Sequence, residues 1–229
     1  MLDGWLFSLD IDDRELARRQ ALCNQIEHAR ARAFRFEKHR RRYLACHGRV
    51  REILAGYVGR APSALVFAER GNGKPTLEGL PVPLYFNLSH SGDIAVVAVS
   101  DVGEVGVDVE IPRQVERAVA EQYFSARELS ELGRFPPADW LDGFYRCWTR
   151  KEAFIKATGE GLARSLAGFS VSLADSGGPL PITLLDDDGV GETVSGLCLL
   201  PFSASGGGMG AVCARNCPAQ HKVRWREQS

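Results

Sequence analysis

A chain of 229 residues, 45% hydrophobic and 25% charged, has the balance of a globular protein and the length for one large domain or two smaller ones. That balance excludes intrinsic disorder, a fibrous repeat and a disulfide-framework miniprotein, and no run approaches the ~18 consecutive apolar residues of a membrane span. Net charge is only −1 at pH 7, yet His28 to Arg51 holds nine Lys or Arg against the single acid Glu37, so one basic block sits in an otherwise acidic chain.

Met1 to Asp10 meets an acid at Asp3 and carries no basic leader, so no export signal is expected. Trp5 to Ile11 reads as an opening strand, with Trp5, Phe7 and Leu9 alternating against polar or small neighbours. Helical pattern follows from Asp13 to Tyr57, where Phe36, Tyr43, Val50 and Tyr57 recur every seven residues beside Ile53 and Leu54. The arginines around that stripe admit three readings: a solvated helix face, a nucleic-acid track, or a site for a small polyphosphate. The acidic remainder and the absence of a recognised nucleic-acid module weigh against the second.

Leu65–Ala68 is a short predicted strand, and Gly71-Asn-Gly-Lys-Pro75 a turn. Strands are expected over Leu84–Leu88 and Ile94–Val99, joined by Ser89–Asp93, and again over Val105–Ile111. Ser125 and Glu128 match a capping box for a helix that stops before Pro136-Pro137. Asp139 is a candidate N-cap for a helix to Thr158, with Leu141, Phe144, Tyr145, Trp148 and Ile155 on its apolar face and Gly159 and Gly161 at its end. Further strands are predicted over Phe169–Leu173, Ile182–Leu185, Leu197–Leu200 and Gly210–Ala214, with a loose tail from Asn216. Cys23, Cys46, Cys147, Cys198, Cys213 and Cys217 form no CxxC pair and read as buried thiols of a reducing, cytoplasmic compartment. Strand, helices and strands occur twice, over 1–103 and 104–229, which argues an α+β fold with mostly antiparallel strands.

Three segments carry chemistry. In Glu104-Val-Gly-Val-Asp-Val-Glu110 the three valines point to one side of a strand, so Asp108 and Glu110 share the other, about 7 Å apart, and can converge on a hard cation. The residues alone leave this level with a solvated acidic face. Glu152 and Lys156, at i and i+4, are equally a common helical surface pair. Asn87-Leu-Ser-His-Ser-Gly92 offers hydroxyls and an imidazole to an anion. Ser89 and His90 point apart if extended and cannot form a nucleophile–base pair with each other.

The ordered set Gly73-Lys-Pro75, Asn87-Leu-Ser-His-Ser-Gly92, Gly106-Val-Asp-Val-Glu110 and Trp148-x-x-Lys-Glu-Ala-x-x-Lys156-x-x-Gly-x-Gly161 resembles the broad-specificity (Sfp-type) 4′-phosphopantetheinyl transferases. The resemblance implies transfer of 4′-phosphopantetheine from coenzyme A to a serine of an apo acyl or peptidyl carrier protein, releasing adenosine 3′,5′-bisphosphate. It implies a pseudo-dimer of two α+β halves with the active site in the cleft between them. Asp108, Glu110 and Glu152 would bind Mg²⁺. Glu152, directly or through water, would take the serine proton, while Lys156 and Lys151 would hold the pyrophosphate. Gly73, Lys74, Pro75, Asn87, Ser89 and His90 correspond to coenzyme A contacts, and Arg42 to the 3′-phosphate ligand. One departure is Glu27, where some relatives carry lysine. The expected enzyme is a cytoplasmic monomer that needs neither membrane nor nucleic acid. A coenzyme A-binding module without catalysis and a basic-helix nucleic-acid binder are the alternatives.

Overall fold

Alternation in the first residues sets the first strand. In the computed structural model, which describes residues 1–71, 73–161, 164–175, 178–185, 191–215 and 223–226, β1 spans Leu2–Ser8. It begins and ends earlier than expected because it is covered on both faces: Trp5 and Phe7 pack against one core, Leu2 and Leu6 against another. The helical pattern over Asp13 to Tyr57 divides into three helices. Asn24 stops it, because its side chain accepts from Glu27 N while Glu27 returns the bond to Asn24 N, offering the backbone a local alternative to helix. The helices are α1 (Asp13–Gln20), α2 (Gln25–Ala33) and α3 (Glu37–Val58).

The hairpin of β2 (Phe67–Arg70) and β3 (Lys74–Leu77) leads to β4 (Tyr85–Ser91) and β5 (Ile94–Ser100). Ser89–Asp93 is not a connection between strands. β4 runs through Ser91, paired opposite Ile94, and only Gly92 and Asp93 turn, with Gly92 at φ 59°. β1 and β4 flank β5 antiparallel, and a short strand from the tail, β12 (Arg224–Arg226), pairs parallel with the outer edge of β1.

The second half opens on β6 (Val105–Glu110), followed by α4 (Arg117–Tyr123), α5 (Ala126–Leu132) and α6 (Trp140–Thr158). Ser125 and Glu128 form the expected capping box; Asp139 precedes α6 without a side-chain capping bond. A small antiparallel sheet of β7 (Phe169–Val171), β8 (Ile182–Leu185) and β9 (Gly191–Thr193) comes next. β10 (Leu197–Ala204) and β11 (Gly208–Arg215) then join β6 in the order β10-β11-β6.

Helices cover one face of each larger sheet, and the other faces meet: Leu2, Val96 and Ala98 pack on Val105, Val107, Val109 and Val212. The class is α+β. Two expectations for the tail and cysteines are corrected. Residues 216–222 and 227–229 lie outside the described part, but Arg224–Arg226 is paired strand rather than loose chain. Cys198 is disulfide-bonded, while Cys23, Cys46, Cys147 and Cys213 are free thiols.

Candidate active site

The valines of β6 decide where its acids go. Val105, Val107 and Val109 are fully buried between the sheets, so Asp108 and Glu110 turn toward α6. Gly106 permits that approach, since a Cβ there would lie 2.1 Å from the Ala153 carbonyl oxygen. Asp108 is only 4% exposed, so the alternative of a solvated acidic face fails. From α6, Lys156 Nζ reaches Asp108 Oδ1 at 2.7 Å and Ser89 Oγ at 3.1 Å. The Glu152/Lys156 pair is therefore directed into the junction rather than along a free helix surface.

The first half supplies β4. Its polar side chains at 87, 89 and 91 share one face and meet β6, whose backbone N–H groups on this side need acceptors. Val107 N donates to Asn87 Oδ1 at 2.9 Å, Val109 N to Ser89 Oγ at 3.4 Å and Ile111 N to Ser91 Oγ at 3.1 Å. In turn Ser89 Oγ donates to Asp108 at 2.8 Å and Ser91 Oγ to Glu110 at 2.6 Å. Asn87 and Ser89, expected as ligand contacts, thus join the two sheets and orient the acids. Ser91, whose hydroxyl the same motif offers, does likewise.

His90 faces the other way, into a cavity of about 510 Å³ lined by Phe34, Arg42, Tyr43, Glu110 and Arg113. Burial, then the charges of Lys156, His47 and Arg42, hold its imidazole below the usual histidine range. Arg42 Nε donates to Asp93 Oδ1 at 2.7 Å at the rim. A second cavity, of about 260 Å³, is lined by Gly73, Lys74, Pro75, Asn87, Glu152 and Lys156. Motifs separated by up to eighty residues share it. Lys74 is anchored there: its Nζ donates to Glu104, at 2.6 Å, and to the carbonyls of Val105 and Ala157.

Lys151 is a correction. Its side chain is fully buried away from both cavities, 2.7 Å from Glu128, and donates to the carbonyls of Leu166 and Phe169. One residue along a helix is a rotation of about 100°, which separates it from Glu152. Glu27, the departure from some relatives, lines neither cavity. It is buried against Arg51, at 2.8 Å, and accepts its own capping bond.

Crowding of acids marks the junction. Burial pushes the Glu152 carboxyl up, with the Asp108 charge adding to it; burial also raises Glu110, opposed by the Ser91 hydrogen bond. Asp108 Oδ2 is buried without a hydrogen-bond partner. Among the described residues no three His, Cys, Asp or Glu side chains are gathered closely enough to form a metal cluster.

Residues 104–195 match the family model described as the 4'-phosphopantetheinyl transferase superfamily, and residues 12–102 match that of the 4'-phosphopantetheinyl transferase N-terminal region. The chain is 38% identical over 164 residues to the 4'-phosphopantetheinyl transferase HetI of Nostoc sp., covering 70% of this chain and 69% of that protein. It is 38% identical to psf-1 of Bacillus pumilus, covering 65% of this chain and 63% of that protein. To Sfp of Bacillus subtilis it is 34% identical, covering 56% of each. The matches to psf-1 and Sfp thus span less than two thirds of those relatives. With models of one family matching both halves and with HetI aligned across two thirds of its length, the chain belongs to the 4′-phosphopantetheinyl transferase superfamily, in its Sfp-type group.

Proposed function

We propose that the chain transfers 4′-phosphopantetheine from coenzyme A to a serine of apo acyl or peptidyl carrier proteins, releasing adenosine 3′,5′-bisphosphate. The observation that carries this reading is the contact of Lys156 with Asp108 at 2.7 Å, set between one cavity lined by Glu110 and another lined by Glu152 and Lys156. Coenzyme A is a two-part ligand. The cavity beside Arg42, Tyr43 and His90 suits its nucleotide end, and the one beside Glu152 its pantetheine end.

Asp108, Glu110 and Glu152 would hold Mg²⁺. The donor set fits: hard carboxylate oxygens, one of them buried and unpartnered, and two carboxyls raised by burial, a cost that a cation relieves. When bound, Mg²⁺ supplies charge neutralisation at the pyrophosphate. Lys156, hydrogen-bonded to Asp108 and Ser89, carries the positive charge nearest the acids and would turn to a pyrophosphate oxygen. Glu152, which lines the cavity beside Lys156, would accept the serine proton directly or through water. Lys74 positions the Gly73–Pro75 turn over the same cavity.

The two halves are proposed as a pseudo-dimer divided at 103/104, with the site in their cleft. Support comes from the matching sheet orders, β1-β5-β4 and β6-β11-β10, each following strand, three helices and strands. The family models also meet at that boundary. A cytoplasmic monomer acting without membrane or nucleic acid completes the proposal. No described helix is long and apolar enough to cross a membrane. The arginines read as a nucleic-acid track are largely committed: Arg30 pairs with Glu69, Arg41 with Asp13, Arg42 with Asp93 and Arg51 with Glu27.

Intact-mass measurement of a panel of apo-carriers with coenzyme A and Mg²⁺ tests the function. One phosphopantetheine group should be added to at least one carrier, and the gain should vanish with Glu152→Gln. A panel left unmodified by the wild-type chain overturns the reading.

A further inference from the structure

α6 carries a second arginine pair that the reaction does not use. Arg146 and Arg150, one turn apart, line a cavity of about 340 Å³ between α6 and the ends of β10 and β11. None of its lining residues borders the cavities at Glu110 and Glu152.

Arg150 is the unusual member. It is 3% exposed, and a guanidinium so buried ordinarily has a carboxylate partner. Among the described residues none lies within ion-pair distance, and its one hydrogen bond runs from NH1 to the Ser172 carbonyl. Burial, with Arg146 adding to it, pushes the guanidinium down to about 10, against the weaker opposing charges of Asp175 and Glu131. Among the described residues Arg146 has one carboxylate partner, Asp175, at 3.4 Å, and that carboxylate is 87% exposed. An exposed pair at this distance is weak and is readily exchanged for a stronger anion. Ser203 adds a hydroxyl to the cavity, while Phe202 and Met209 give it an apolar wall.

We infer that this cavity is a binding site for a small phosphate monoester, held by Arg146 and Arg150 and separate from the transfer site. Two guanidiniums match a dianion better than a single carboxylate, each giving charge-assisted, potentially bidentate hydrogen bonds. The apolar wall takes the organic body of the ester.

The test is calorimetric titration of the full chain with inorganic phosphate and with glycerol 3-phosphate, at constant ionic strength and without magnesium. Saturable binding of one equivalent of each is expected, tighter for the ester. Arg150→Met and Arg146→Gln should each weaken it at least tenfold, while Arg134→Gln, at an exposed position outside these cavities, leaves it unchanged. Arg146 lies at the cavity rim, so Arg146→Gln should keep its cooperative unfolding transition even if Arg150→Met does not fold. No saturable binding, or binding lost in Arg134→Gln or kept in Arg146→Gln, overturns the inference.

Discussion

At the scale of single residues, two side chains of ordinary type differ by environment alone. Glu152 is half-buried near the charges of Asp108 and Glu110, so its ionised form opposes folding while serving the proposed chemistry. Glu152→Gln should therefore raise the unfolding midpoint of the metal-free chain, and lower single-turnover transfer by two orders of magnitude or more, on the order of 3 kcal/mol. A drop in both, by calorimetry and rapid quench, would return Glu152 to a structural role. Among the described residues Arg42 has one ion-pair partner, Asp93, at the rim of the His90 cavity. If it receives the 3′-phosphate, Arg42→Ala should weaken coenzyme A by about ten- to a hundredfold, the loss of a charged hydrogen bond, and barely change 3′-dephospho-coenzyme A. Titration of the two ligands separates these outcomes.

At the scale of elements, α6 presents different faces to different tasks. Glu152 and Lys156 look into the junction, while Lys151 is locked to Glu128 at the start of α5, and Glu128 also accepts from Val171 N of β7. Removing one member of a fully buried pair leaves the other charged and unmatched. Lys151→Met should cost roughly 3–5 kcal/mol in urea unfolding, and adding Glu128→Gln should recover part of it. A stable Lys151→Met variant with weakened coenzyme A binding would instead return Lys151 to the phosphate. The motif was legible here and the face was not. Lys151 and Glu152 are neighbours in sequence, and only the packing of α5 and β7 on one side of α6 assigns them opposite duties.

At the scale of the whole molecule, the halves are held together by polar bonds as well as by valines. β4 side chains cap the edge of β6, and Lys74 bridges the β3 turn to β6 and α6. At the far edge Asp3, fully buried, accepts from Arg224 Nε at 2.6 Å and from Tyr57 OH at 2.6 Å. Burial pushes its carboxyl up, but the bonds from Arg224 and Tyr57 outweigh it and hold Asp3 below its usual 3.8. A lowered carboxyl contributes stability that is present above the ordinary value and is lost as pH falls through the lowered one. Asp3→Asn should thus destabilise the chain at neutral pH and flatten the decline below about pH 4; parallel curves for variant and wild type would remove Asp3 from the acid transition.

The sequence by itself determined the α+β class, the order of the main elements though not β3, α4, β9 or β12, the split of Asp108 and Glu110 from the valines of β6, and the segments that supply the site. Each of these follows from local periodicity, capping chemistry or motif spacing, which a linear chain displays. Tertiary structure alone decided that Asn87, Ser89 and Ser91 serve the β6 edge, that Lys151 is buried while Lys156 meets Asp108, and that the tail returns as β12 against Asp3. Those outcomes depend on which donor is left unpaired when two sheets and a helix close on each other, and a backbone N–H lacks an acceptor only once its neighbours are in place.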